Sequence, residues 1–145
     1  MYGGLTSSFT GVIYESITDV NDMQISDAES EVMKVLWDRS PLAAEEVIAA
    51  IAPAQDWQDA TVKTLLNRLL TKGAIRAAKD GRRYLYSPLL ARNDWVLDES
   101  SSLLDRVFDG RVAPLVAHFS EHRKLSKADL DELRKLIGEL DDGRG

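Results

Sequence analysis

The chain has 145 residues, a formal net charge of −6 and 29% charged residues, enough for one ordinary domain or two small ones. It contains no cysteine, which excludes disulfides, thiolate metal sites and a cysteine nucleophile. No apolar run approaches the roughly 20 residues of a spanning helix, and no basic region followed by an apolar core opens the sequence. Neither membrane insertion nor a secretory signal is expected, and a cytoplasmic location is the default.

Residues 1–24 include Gly3, Gly4, Ser7, Ser8 and Gly11, show no sustained period, and read as a poorly ordered extension. Ser26-Asp27-Ala28-Glu29 fits a capping box and starts a first helix, with Ala28, Val32, Val35 and Leu36 on one face and Ser40-Pro41 as the stop. A second helix spans about Ala43 to Ile51 and buries Val47, Ile48 and Ile51. Its start lacks a side-chain oxygen for the cap, and Pro53 ends it. A third runs from Ala60 to Lys72. There Val62, Leu65, Leu66, Leu69 and Leu70 form a continuous apolar stripe, and Gly73 is the natural terminator. Two short strands follow, Ile75 to Lys79 and Arg82 to Ser87. Asp80-Gly81 between them reads as a type I′ turn, which requires positive φ at both central positions. Beyond Pro88 the pattern is helical: about Arg92 to Phe108, broken by Gly110, then Val112 to Phe119 with Pro114 in its first turn, then a last helix capped by Ser126.

The charge is unevenly placed. Residues 60–87 carry Lys63, Arg68, Lys72, Arg76, Lys79, Arg82 and Arg83 against the single acid Asp80, whereas every other stretch is net acidic. Affinity for nucleic acid depends on local phosphate neutralisation, so such a block can bind although the chain is acidic. Three helices and a β-hairpin in this order make a winged helix-turn-helix, whose third helix fits the DNA major groove. On its outer side Lys63 and Arg68 can meet phosphates or guanine edges, and Asn67 can pair with adenine. Thr61 and Thr64 can bond a phosphate or touch a thymine methyl. Arg82 and Arg83, next to the hairpin tip, are placed to hold an adjacent backbone or minor groove. Tyr84 and Tyr86 read as one ring packed on the third helix and one partly exposed.

The last three helices have apolar faces but too few residues for an independent core. Leu103, Leu104, Val107, Leu115, Phe119, Leu133, Leu136, Ile137 and Leu140 are therefore candidate contacts with a second copy of the chain. His118-Phe119-Ser120-Glu121-His122 matches the inverted zincin pattern H-x-x-E-H. No convincing third ligand accompanies it. There is also no phosphate-binding glycine loop and no nucleophile elbow. No metal, no cofactor and no enzymatic activity is expected.

These residues also resemble a known family. Ile25-Ser26-Asp27-Ala28-Glu29, Val32-Met33-Lys34-Val35-Leu36-Trp37, Asp56-Trp57, Thr61-Val62-Lys63-Thr64-Leu65-Leu66-Asn67-Arg68-Leu69, Lys72-Gly73 and Tyr84-Leu85-Tyr86-Ser87-Pro88 are similar to the penicillinase repressor family of the BlaI, MecI and CopY type. The similarity continues through Val107-Phe108-Asp109-Gly110 and Leu125-Ser126 to Leu133-Arg134-Lys135-Leu136. It implies a mainly α protein, with a winged-helix DNA-binding domain over 25–88 and a helical dimerisation domain over 89–142. It further implies a homodimeric transcriptional repressor on a palindromic double-stranded operator. Thr61, Lys63, Thr64 and Arg68 would lie on the recognition helix, and Asp80 to Arg83 on the wing. Release by a membrane sensor protease would act at the bond matching Ser102-Leu103. The paired cysteines of the copper-responsive members are missing, so copper release by that route is excluded. Ala60 stands where a longer polar side chain would widen base contact. The alternative expectation, suggested by the acidic flanks, is a winged helix that binds a protein partner and no DNA.

Overall fold

The computed structural model describes residues 23–144, so the expected N-terminal extension lies, but for Met23 and Gln24, outside the described residues. The elements in chain order are α1 (Asp27–Asp38), β1 (Leu42–Ala43), α2 (Ala44–Ile51), α3 (Asp59–Lys72), β2 (Ile75–Asp80), β3 (Arg83–Pro88), α4 (Arg92–Phe108), α5 (Val112–Glu121) and α6 (Lys127–Arg144). Two compact units divide between Asp98 and Glu99, within α4.

In the first unit α1 begins with a full capping box. The Ser26 hydroxyl accepts from the Glu29 N–H at 3.1 Å, and the Glu29 carboxylate accepts from the Ser26 N–H at 2.8 Å. Val32 and Leu36 are buried as the spacing predicts. Met33 is buried with them, so the inward face is wider than the sequence stripe. For α2 the missing cap side chain at Ala43 is partly replaced: the Glu46 carboxylate accepts from the Ala43 N–H at 2.8 Å. The α3 stripe of Val62, Leu65, Leu66 and Leu69 is buried and joins Val47, Ile51, Ile75 and Leu90 in one core. Deleting a large member of such a core costs about 2–5 kcal/mol. Trp37 closes its edge, donating from Nε1 to the Leu90 carbonyl at 2.8 Å and lying 5.3 Å from the Trp95 ring.

A Schellman motif ends α3. Gly73 sits at φ 81°, and the Ala74 N–H returns to the Leu69 carbonyl at 2.9 Å. The sheet is antiparallel in the order β1-β3-β2. The two-residue β1, which the sequence pattern does not predict, pairs Leu42 with Tyr86 and Ala43 with Leu85. The hairpin turn differs from the expected one. Asp80 is the last paired residue, opposite Arg83, so the central pair is Gly81-Arg82 rather than Asp80-Gly81. Gly81 has φ 66° and Arg82 is not among the positive-φ residues, which is the sign pattern of a type II′ turn. Glycine at the first central position satisfies that turn as well as it would the expected one.

In the second unit α4 ends at Asp109 and Gly110, both at positive φ. A reciprocal cap opens α6: the Ser126 hydroxyl accepts from the Asp129 N–H at 3.0 Å, and the Asp129 carboxylate accepts from the Ser126 N–H at 3.3 Å. No described residue from Glu99 onward is buried. Leu104, Leu115 and Leu133 are half-buried, while Leu103, Val107, Phe119, Leu136, Ile137 and Leu140 are exposed, Leu140 at 62%.

Candidate nucleic-acid interface

Burying the α3 stripe fixes which side chains must face outward, because residues on a helix repeat every 3.6 positions. Thr61, Lys63, Thr64, Asn67 and Arg68 are all exposed. Among the described residues none of these five side chains makes a hydrogen bond or an ion pair within the chain. Five polar side chains with unspent capacity on one face of a rigid helix can meet phosphate oxygens and base edges.

The wing carries Arg82 in its two-residue loop and Arg83 at the first paired position of β3. Their surroundings differ. Arg83 lies 3.7 Å from the Asp80 carboxylate and 3.9 Å from that of Glu46, whereas Arg82 has no ion pair among the described residues. Tyr86 packs on the core and Tyr84 is 52% exposed, in line with the division expected of the two rings.

Two features of this helix have no local signal in the sequence. The helix starts at Asp59, one residue before the expected Ala60, and brings a carboxylate onto the same side as Lys63 and Asn67. Gln58 occupies the cap position with no side-chain hydrogen bond, so no capping signal marked this start. The second feature is Lys72, one of the bases of the 60–87 stretch. It turns instead toward α1 and donates to the Glu29 carboxylate, which is 2% exposed. Burial raises the Glu29 carboxyl, but the Lys72 ammonium and the Ser26 N–H favour the anion more strongly and hold it below its ordinary value.

The remaining candidates lie in the second unit. Ser102 and Leu103 sit inside α4, both exposed. The His118 and His122 rings are 4.4 Å apart, and among the described residues no third His, Cys, Asp or Glu joins them in a metal-binding group.

The sequence profile described as penicillinase repressor matches residues 25–139. The chain belongs to the penicillinase repressor family. The penicillinase repressor of Bacillus licheniformis is 38% identical over 116 residues, covering 80% of this chain and 91% of that protein. The methicillin resistance regulatory protein MecI of Mammaliicoccus sciuri is 33% identical over 119 residues, covering 82% of this chain and 97% of that one. Among solved structures, the DNA-binding domain of the repressor BlaI is 42% identical, with a TM-score of 0.47, over 50% of this chain and 89% of that one. As a member of this family the chain is a DNA-binding transcriptional repressor. No helix among the described residues is long and apolar enough to cross a membrane.

Proposed function

We propose that this repressor acts in the cytoplasm as a homodimer on a palindromic operator, with α3 in the major groove of each half-site and the wing on the flanking backbone. The observation that carries the reading is the outward face of α3. Lys63, Asn67 and Arg68 are exposed without partners among the described residues, on a helix whose other side is locked in the core. The exposed apolar side chains of the second unit support the dimer. Leu136, Ile137 and Leu140, each 54–62% exposed, would gain about 1–2 kcal/mol each when a second copy covers them. Joining two weak half-site readers in one molecule raises affinity through effective concentration, with no new contact to DNA.

Release by a membrane sensor protease is the further part of this reading. The Ser102-Leu103 bond lies within a helical segment, so cleavage there follows local opening of α4.

The test is selection of bound fragments from random duplex DNA, followed by mobility shifts on the enriched sequence at several salt concentrations. A two-fold symmetric motif is expected. Lys63→Ala and Arg68→Ala are each expected to weaken binding by about 1–3 kcal/mol where they read bases. If no symmetric motif is enriched and both variants behave like the parent, the reading fails, and docking of a protein partner on the winged helix takes its place.

A further inference from the structure

We propose that Asp59 is a specificity-determining residue of the DNA-reading face and selects a cytosine in each half-site. The inference rests on the operator-binding reading above and names one base preference within it.

Asp59 is the first residue of α3, exposed, and precedes Lys63 and Asn67 by one and two helical steps of four. Side chains so spaced share one helical row. The N-terminal residues of a recognition helix are those that reach base edges. The carboxylate therefore stands where the reading helix enters the groove. Its charge suits the N-terminal end of α3, and among the described residues it forms no ion pair, although Lys63 occupies the i+4 position that commonly accepts one. The next residue, Ala60, has no polar atom on its side chain to mask it.

A carboxylate facing DNA meets the negative potential of the phosphates and lowers affinity on every sequence. It recovers that loss only opposite a donor. In the major groove the amino groups are cytosine N4 and adenine N6; guanine O6 and N7 and thymine O4 are acceptors and repel an anion. Adenine carries the acceptor N7 beside its amino group, and cytosine presents no such neighbour. Cytosine is thus the base the Asp59 side chain favours, and rejection of the acceptor-bearing bases contributes to selectivity along with the bond itself.

The experiment compares the full chain with Asp59→Asn and Asp59→Ala by selection from random duplex DNA, then by mobility shifts on operators altered at one half-site position. For the parent, replacing the selected cytosine weakens binding by about ten-fold. The same replacement is expected to have little effect on the Asp59→Ala protein, which also binds unrelated duplexes more tightly than the parent. Thermal unfolding of each variant separates a folding defect from a change of base preference. A symmetric motif with the same base distribution in all three proteins would overturn the role of Asp59 and leave the operator reading standing. The absence of any symmetric motif in the parent would overturn both.

Discussion

Lys72, the last residue of α3, donates to the buried carboxylate of Glu29 in the first turn of α1, 43 residues earlier, and to the Gln24 carbonyl at 2.6 Å. One ammonium thus joins the end of α3 to the start of α1. The same carboxylate also caps α1 by accepting from the Ser26 N–H. Removing Lys72 leaves the buried Glu29 carboxylate without its counter-charge, whereas removing Glu29 takes a charged hydrogen bond from an ammonium that is still partly open to water.

Glu29→Gln is therefore expected to destabilise the first unit by about 1–3 kcal/mol at neutral pH, as is Lys72→Met. The pH dependence follows from the lowered Glu29 pKa. The carboxyl ordinarily titrates at 4.5, and its folded value lies below that. Between the two values the unfolded chain binds more protons, so stability rises with pH in that window. The contribution is complete above pH 4.5 and is lost as the pH falls through the folded value. Urea unfolding across the acid range checks this: the parent should lose stability more steeply than Glu29→Gln.

Because Lys72 is committed to Glu29, it should not contribute to phosphate neutralisation. Arg82→Ala is expected to reduce the slope of log affinity against log salt by about 0.9, the value of one phosphate contact on duplex DNA. Lys72→Met should leave that slope unchanged while lowering thermal stability. Arg83→Ala should fall between them, since Asp80 and Glu46 already lie near its guanidinium. Salt titrations of operator binding by the three variants rank them directly.

Gly73 holds φ 81° with no atom within 4 Å of an added Cβ, so replacement costs only what the backbone conformation demands. Gly73→Ala is expected to cost about 1–2 kcal/mol, the left-handed penalty for an ordinary residue. Gly73→Asn should cost less, because asparagine tolerates this conformation. Chemical denaturation at neutral pH gives both values.

The paired replacement Ile137→Ser with Leu140→Ser removes two exposed apolar side chains of α6. Sedimentation is expected to show a shift from dimer toward monomer. Operator affinity should fall, while the unfolding midpoint of the first unit is unchanged. A monodisperse monomer in the parent at micromolar concentration would contradict the dimer itself.

Much of the first unit was legible because its signals are local. The Ser26 capping box, the α3 stripe and the Gly73 terminator each lie within a few residues of one another, and periodicity places them without knowledge of the fold. The outward orientation of Lys63, Asn67 and Arg68 follows from the same stripe. What the sequence did not reveal depends on partners distant along the chain. β1 is a strand only because β3 lies beside it, and Lys72 turns inward only because Glu29 is there to receive it. The hairpin turn lies one residue beyond the expected position, since a central pair of Asp80-Gly81 and one of Gly81-Arg82 both satisfy glycine. Cross-strand pairing of Asp80 with Arg83 decides between them. The start of α3 at Asp59 has no capping side chain to mark it in the sequence.

The lack of any buried residue among those described from Glu99 to Asp142 carries a consequence for regulation. If, as proposed above, this segment completes its core against a second copy, its folding is coupled to protein abundance. At low abundance the dimeric form grows as the square of the monomer concentration. Growth and division that dilute the repressor would then relieve its target genes more sharply than in simple proportion, giving the cell a dose-sensitive threshold without any added ligand.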